Sequence, residues 1–325
     1  MRVCFVSQFE GDASPWNAPI NDCRAWAYVL GGDTRNVHTI LREPAELGAY
    51  ELVIVELTPN AYAVPPFVRR HVPGAVVVGL VEGGVEAVSA QAGWEQLLFL
   101  EALEALDVLG VLVEEALPYY RVLAGTEAKA QWLGVPYPKA WTDSLQRGTR
   151  ADGARVVELG AGLERGRNGL AALRVLERVR RDVPDLRGRV YAGDPGELEL
   201  IARAADGVEG ALKSDWPSYY RHHLDAWAVL SLDPRRSWGR LVLDCAAAGI
   251  PYVGSNATHC AQHAGVLVCD PYDVEAAEEM LRRLAEDDEL YAEAVTRQYE
   301  ALGQFDEEAS RSRFASALAA AGIRP

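Results

Sequence analysis

Short apolar runs alternate with helical stretches along most of this chain, and that alternation limits the fold more than any other feature. In the first half the runs are RVCFVSQ, YELVIVELTP, HVPGAVVVGLVEGG and DVLGVLVEE, separated by helix-like segments such as NDCRAWAYVLGG and WEQLLFLEALEAL. Uninterrupted apolar runs are typical of strands that are buried on both faces of a parallel sheet. The pattern predicts an α/β domain with crossover helices, ending in a further helix over ALPYYRVLAGTEAKAQWLG.

The same pattern resumes in the second half, after a segment that interrupts it. VPYPKAWTDSLQRGTRADGA carries prolines, glycines and polar residues without periodicity, so we place a domain boundary there. ARVVELGAG, GRVYAGDP, LDAWAVLSLDP, PYVGS and AGVLVCD are then predicted as strands between helical segments. We expect a Rossmann-like domain over residues 1–150 and a second one over 151–303, facing each other across a cleft. Residues 304–325 are predicted to form a helix that crosses back to the first domain.

Composition and charge narrow the class of protein. A chain of 325 residues exceeds what one hydrophobic core usually serves, which agrees with two domains. The formal net charge of −15 disfavours nucleic acid and anionic membranes as main partners. No apolar run is as long as a membrane span, and MRVCFVSQFEG lacks the features of a signal peptide, so a cytoplasmic location is expected. The five cysteines have no paired spacing, which predicts reduced, buried thiols.

The segment SLDPRRSWGRLVLDCAAAGIPYVGS carries an unusual group of charges. Asp233, Arg235, Arg236, Arg240 and Asp244 surround an otherwise apolar stretch. A buried ionic group is costly unless it is paired or binds something. The segment is therefore either a structural group of ion pairs or the site of an anionic ligand.

The second interpretation has a physical basis in the local sequence. SWGR precedes the predicted helix LVLDCAAAG, so backbone N–H groups at the helix start could face a phosphate. Gly239 would allow a close approach to the ligand. Asp244 lies a few residues into the helix, where its carboxylate could accept hydrogen bonds from a ribose diol; the alternative is that it pairs with a nearby arginine.

The second half resembles the C-terminal domain of the retaining GT-B glycosyltransferases, particularly the large family four. GAGLERGRNGLAALRVLERV is similar to the family's Gly-Arg-type loop and helix, and RSWGRLVLDCAAAGIPYVGS has the frame of its two glutamates followed by Gly-x-Pro. The resemblance covers about Arg155 to Leu302 and is weak in the first half. It implies transfer of a sugar from a nucleotide-diphosphate sugar to an unknown acceptor, with retention and with no metal or further cofactor.

The resemblance also assigns site residues, with two departures from the family pattern. Asp244 stands at the second glutamate, which implies the ribose contact, and Arg236 replaces the first, which contacts the donor sugar. Arg167 takes the place of a diphosphate-binding lysine, whereas Ala161 stands where an arginine is expected, so Arg165 is the candidate substitute. We infer that Arg236 has a catalytic role and selects a phosphate or an acidic sugar. The inferred donor-binding residues are Gly11, Arg165, Arg167, Asn168, Gly193, Asp194, Ser237, Trp238, Gly239, Arg240 and Asp244.

Several of these positions have plainer explanations. Arg165 and Arg167 are also what a solvated helix start would carry, and Gly193 with Asp194 would also form an ordinary turn. Glu82, in LVEGG after a buried strand, is a catalytic candidate that could bind sugar hydroxyls or orient an acceptor, but exposed loop glutamates are common. HCAQH lacks the further ligands of a zinc site, so no metal site is predicted.

The missing glutamate and arginine leave a second functional class open. A GT-B protein without catalysis could serve as a binding or scaffold partner. Binding of nucleoside diphosphates without donor hydrolysis or transfer would distinguish this class from an active transferase.

Overall fold

A computed structural model describes residues 1–8, 22–145, 153–160, 162–163 and 166–323. The chain divides into two compact units, the first formed by Met1–Pro138 with Gln304–Pro325 and the second by Lys139–Gly303. Each unit contains one six-stranded sheet in which every strand pair is parallel, with helices between successive strands. The predicted α/β class, with two Rossmann-like layers of sheet and helix, is confirmed.

The first sheet is built from the apolar runs of the first half of the chain. Its strands are β1 (Val3–Ser7), β2 (Asp33–Asn36), β3 (Leu52–Glu56), β4 (Val76–Val81), β5 (Val108–Val111) and β6 (Ala130–Trp132). They lie in the order β2-β1-β3-β4-β5-β6, and β1, β3 and β5 are buried at every position. Strand order reverses between β1 and β3, which marks the edge where ligands bind in sheets of this kind.

The helices of the first unit include one from the end of the chain. They are α1 (Ala25–Leu30), α2 (Val37–Arg42), α3 (Val64–His71), α4 (Glu86–Ser89), α5 (Gly93–Ala105), α6 (Leu117–Ala124) and α15 (Glu307–Ala320), with 3-10 turns at Asp22–Arg24, Pro44–Ala49, Pro59–Ala61 and Glu114–Ala116. In α15, Phe314 packs on Trp26 with ring centroids 5.2 Å apart. Arg313 donates to the backbone carbonyl of Leu133 at 2.8 Å, and Arg311 to that of Val29 at 2.9 Å.

One helix predicted in the first unit is shorter than the sequence indicated. The predicted helix over ALPYYRVLAGTEAKAQWLG ends at Ala124, and β6 occupies Ala130–Trp132. Gly125 follows the helix with φ +77°, a left-handed conformation that stops α-helical hydrogen bonding. The prediction was wrong beyond this glycine.

The second sheet repeats the architecture. Its strands are β7 (Arg155–Leu159), β8 (Leu186–Ala192), β9 (Val208–Leu212), β10 (Ala228–Ser231), β11 (Tyr252–Ser255) and β12 (Leu267–Cys269), in the order β12-β11-β10-β7-β8-β9. Strand order reverses between β7 and β10, which pair directly, with Leu159 opposite Leu230.

The helices of the second unit begin at well-defined caps. They are α7 (Lys139–Asp143), α8 (Gly169–Val179), α9 (Pro195–Ala204), α10 (Trp216–His223), α11 (Arg240–Ala248), α12 (His259–Ala264), α13 (Val274–Glu286) and α14 (Asp288–Leu302). Four of them follow an aspartate whose carboxylate accepts a backbone N–H of the first turn, at Asp194, Asp215, Asp273 and Asp287.

Two predictions from composition can be compared with the structure. All five cysteines are free and buried, as predicted. Within the described residues, no helix has both the length and the apolar character that a membrane crossing needs.

Candidate functional site

The loops that follow β7 and β10 lie side by side in the second unit. These two strands pair in parallel, so the chain leaves the same edge of the sheet after Leu159 and after Ser231. This is the point where strand order reverses, and open parallel sheets bind their ligands outside such a point. The topology therefore brings together the two loops that carry most of the predicted donor-binding residues.

A buried carboxylate joins these two loops. Asp233 is 6% exposed and accepts hydrogen bonds from Arg235, at 3.1 Å from Nε and 3.0 Å from Nη2. Nη1 of Arg167, from the loop after β7, lies 3.5 Å from the same carboxylate. We call Arg167, Asp233 and Arg235 the Asp233 cluster. It holds two guanidinium groups on one carboxylate.

The electrostatics of this edge differ from those of the whole chain. Burial lowers the pKa of the Arg167 guanidinium, and the charge of Arg235 lowers it further, against the opposing effect of Asp233. Arg236 is exposed and makes no ion pair with any described residue. Among the described residues of these two loops, three arginines (Arg167, Arg235 and Arg236) thus stand against one carboxylate (Asp233), in a chain whose net charge is −15.

The start of α11 is held in place by α12. The backbone N–H groups of His259 and Cys260 donate to the carbonyls of Ser237 and Trp238, both at 2.9 Å. Gly239 precedes α11 with φ +83°, and a β-carbon there would lie 2.3 Å from Oγ1 of Thr258. Trp238 is 3% exposed and stacks on His259 at 5.2 Å, so its ring serves packing. The loop thus fixes the first turn of α11, where the N–H of Val242 donates to the carbonyl of Gly239 at 3.0 Å. The N–H groups that precede it have no carbonyl of the helix to donate to.

Asp244 is paired within the protein. It is 2% exposed, and both of its oxygens accept from Nε1 of Trp216, at 3.2 and 3.3 Å. Nε of Arg240 lies 3.7 Å from Asp244, and the guanidinium stands 3.8 Å from the centre of the Trp216 ring. This is the pairing that the sequence left open, and a ribose contact by Asp244 stays a prediction.

The remaining donor-side candidates have structural partners where they are described. Asn168 has φ +56° and donates from Nδ2 to the carbonyl of Pro271 at 3.1 Å, which joins two loops at this edge. The N–H of Gly193 donates to Glu197 at 2.8 Å, and Asp194 accepts from the N–H of Glu197 at 3.0 Å, which forms a helix cap. Gly11 and Arg165 lie outside the described residues.

In the first unit, Glu82 stands near a second carboxylate that sequence reasoning missed. Glu82 follows β4 and is exposed, whereas Glu56 at the end of β3 is 5% exposed and accepts from Oγ of Ser7 at 2.7 Å. Cys23, Glu56 and Glu82 bring a thiol and two carboxylates within 4.8 Å of one another, close enough to share a cation. Ser7 and Glu56 each end a buried strand, which was the available signal.

Sequence reasoning also missed a buried polar network formed by side chains of β7, β8 and α10. Glu158 on β7 and His223 at the end of α10 are fully buried, and Nδ1 of His223 contacts Oε2 of Glu158. Tyr191 donates to Oε1 of Glu158 at 2.7 Å, and Nη1 of Arg189 does so at 3.1 Å. A glutamate inside the apolar run RVVEL was the signal for this network.

Contacts within this network keep both Glu158 and His223 charged although both side chains are buried. Burial alone would raise the pKa of Glu158, but the charge and hydrogen bond of His223 and the hydrogen bond from Tyr191 hold it below its ordinary value. Burial would lower the pKa of His223, and the charge and hydrogen bond of Glu158 raise it above its ordinary value. The pair is therefore a buried ion pair.

Comparison with known proteins gives a match by structure alone. No family model and no curated protein matches the sequence. The structure of Anabaena Alr3699/HepE in complex with UDP and glucose matches with a TM-score of 0.72 at 12% identity, over 98% of this chain and 99% of that one. Trehalose-6-phosphate synthase OtsA matches with a TM-score of 0.69 at 13% identity, over 91% and 77%.

A third match has the same character. The pneumococcal O-GlcNAc transferase GtfA in complex with UDP and GlcNAc has a TM-score of 0.61 at 13% identity, and the match covers 85% of this chain and 59% of that one. At such low identity these likenesses concern the fold. The two parallel sheets with their flanking helices are the two Rossmann-like domains of the GT-B fold, which this chain therefore has.

Proposed function

We propose that this protein is a glycosyltransferase that takes a sugar from a nucleotide-diphosphate sugar. The donor binds at the carboxyl edge of the second sheet, between the loops after β7 and β10. The observation that carries the proposal is the surplus of arginine at this edge: Arg167 and Arg235 share one buried carboxylate, and Arg236 is exposed beside them. A diphosphate is an anion that guanidinium groups bind well, which supports a donor site at this edge.

The proposed chemistry follows from the charge of the leaving group. The bond between the sugar's anomeric carbon and the diphosphate breaks, and a bond to an acceptor hydroxyl oxygen forms. Negative charge grows on the departing diphosphate, where the arginines and the first N–H groups of α11 stabilise it. We propose a metal-independent reaction on this basis, and retention of anomeric configuration by analogy with the resembling family.

Two further residues receive roles in this proposal. Arg236 cannot accept hydrogen bonds from sugar hydroxyls, so it selects a phosphate or the carboxylate of an acidic sugar. Glu82 accepts a hydrogen bond from the acceptor hydroxyl and removes its proton. The HepE and GtfA structures hold UDP, which makes uridine nucleotides the first probes to use.

Calorimetry with uridine, UMP and UDP tests the donor site. The purified chain is expected to bind UDP more tightly than UMP, and UMP more tightly than uridine. An Arg167→Gln, Arg235→Gln double variant should weaken UDP binding by about tenfold or more while uridine binding stays the same. Arg203→Gln, which removes an exposed arginine paired only with Glu199 at 3.7 Å, is the control for general loss of charge.

Activity is tested separately, with a panel of nucleotide sugars. Release of the nucleoside diphosphate, unaffected by EDTA and lost in Glu82→Gln, is the expected result, and the anomeric configuration of the product is read by NMR. If no nucleoside diphosphate binds, the proposal is wrong. Binding without hydrolysis or transfer across the panel would contradict catalysis and favour a binding role.

A further inference from the structure

We infer that Asp233 is a positioning residue for the donor diphosphate, which it serves through Arg167 and Arg235 without touching the ligand. The inference rests on the proposed function. It concerns a negative charge placed at an anion site, where a carboxylate by itself should repel the ligand. The structure shows why a carboxylate is nevertheless useful there.

The Asp233 cluster is layered. The Asp233 side chain is 9% exposed, whereas those of Arg167 and Arg235 are 34% and 45% exposed. The carboxylate is therefore the inner group and the guanidiniums are the outer ones. A ligand that approaches this edge meets positive charge first, and the negative charge lies behind it.

The carboxylate fixes the direction of the Arg235 guanidinium by hydrogen bonds and attracts that of Arg167 as an ion pair. The Asp233 carboxylate accepts hydrogen bonds from Nε and Nη2 of Arg235. It also accepts one from the backbone N–H of Arg235 at 3.1 Å, so both the backbone and the side chain of Arg235 are held in place. Nη1 of Arg235 makes no hydrogen bond to any described residue, so this end of the guanidinium remains available. Arg167 reaches the same carboxylate from the neighbouring loop at 3.5 Å.

Two arginines from different loops would not keep this arrangement unaided. Their like charges repel, and each long side chain has many rotamers to lose when it binds an anion. A shared carboxylate overcomes both obstacles before the ligand arrives. Preorganisation of the arginines favours diphosphate binding, whereas repulsion between the carboxylate and the diphosphate opposes it. Preorganisation is the larger of the two effects.

The direction in which Asp233→Asn changes the affinity for UDP separates this role from simple competition between Asp233 and the ligand for the arginines. Asp233→Asn removes a negative charge from an anion site. If Asp233 only competed with the ligand, UDP would bind more tightly to the variant. If Asp233 positions the arginines, UDP should bind about tenfold more weakly although the site has become more positive.

Asp233→Glu gives an independent test, because it keeps the charge and moves the carboxylate. Positioning predicts weaker UDP binding to this variant also, with uridine binding unchanged. Asp185→Asn is the matched control, since Asp185 holds Arg155 by two hydrogen bonds of 2.7 and 2.8 Å at the opposite end of the same sheet. This control should bind UDP as the parent does.

A double-mutant cycle completes the experiment. In an Arg167→Gln, Arg235→Gln background, Asp233→Asn should no longer weaken UDP binding, because the groups that it positions are gone. Unchanged or tighter UDP binding by both Asp233→Asn and Asp233→Glu, in variants that melt as cooperatively as the parent, would overturn the inference and leave the proposed function standing. Failure of the parent itself to bind any nucleoside diphosphate would instead overturn the proposed function.

Discussion

Replacing Gly239 by alanine should damage both the stability of the second unit and its affinity for nucleotide. Gly239 has φ +83°, and a left-handed conformation costs an L-residue about 1–2 kcal/mol. The added β-carbon would also lie 2.3 Å from Oγ1 and 2.4 Å from Cβ of Thr258, a steric conflict that costs about 1–3 kcal/mol. The two effects together predict a loss of about 2–5 kcal/mol.

Calorimetric melting and UDP titration measure the two consequences. A loss of that size in a domain of this length should lower Tm by about 4–20 °C. Gly153→Ala is the matched control, because Gly153 precedes β7 at the end of the sheet away from the candidate site, has φ +66°, and its β-carbon would meet no described atom within 4 Å. That variant should lose only the conformational contribution, about 1–2 kcal/mol.

A second substitution identifies the steric contribution. Thr258→Gly removes the atoms that the new methyl group would meet. The double variant Gly239→Ala, Thr258→Gly should therefore lose about 1–3 kcal/mol less unfolding free energy than the sum of the losses in the two single variants. If Gly239→Ala melts and binds UDP as Gly153→Ala does, the close approach of the two loops has no energetic importance and the reasoning is refuted.

Three further predictions concern charged groups. His223 has a raised pKa, so its stabilising effect is complete below its ordinary value of 6.5 and is lost as pH rises through the raised pKa. Glu158 has a lowered pKa, so its effect is complete above 4.5 and is lost as pH falls through the lowered pKa. Melting curves across pH should show greatest stability between these limits, and His223→Gln should abolish the alkaline decline. Asp244→Ala should weaken nucleotide binding by about 1–3 kcal/mol in calorimetry, and unchanged affinity in a folded variant would exclude the ribose contact. Arg236→Glu should shift donor preference away from acidic sugars, and an identical donor profile would contradict the role of Arg236.

The central strands of both sheets could be predicted from the sequence, whereas the edge strands β2, β6 and β9 could not. β3, with the sequence LVIVE, is buried throughout and therefore leaves an unbroken apolar run. β2 and β9 lie at sheet edges with the sequences DTRN and VEGAL, and neither is buried along its length. Their position is set by backbone pairing with a neighbour, which side-chain periodicity does not record.

At the candidate site, too, the sequence predicts contacts between residues that are close along the chain but not contacts that depend on how the strands are arranged. Asp233 and Arg235 are neighbours in sequence, so their pairing was one of two alternatives that the sequence offered. The contribution of Arg167 depends on β7 lying beside β10, which follows from sheet topology. Glu158 is a polar residue within an apolar strand sequence, which the sequence analysis did not use, and its partner His223 belongs to a helix that the sequence does not relate to it.

The route of the chain through the first unit has a consequence for its synthesis. That unit uses Met1–Pro138 and then Gln304–Pro325, so the ribosome makes all of the second unit before it supplies α15. Until then the Trp26 ring lacks the Phe314 ring that packs on it, and the carbonyls of Val29 and Leu133 lack the arginines of α15. The second unit, which is one continuous segment, can fold as soon as it emerges. The unit that is begun first is therefore completed after the second unit, and a nascent chain has to keep its unfinished apolar surface from aggregating until α15 has been made.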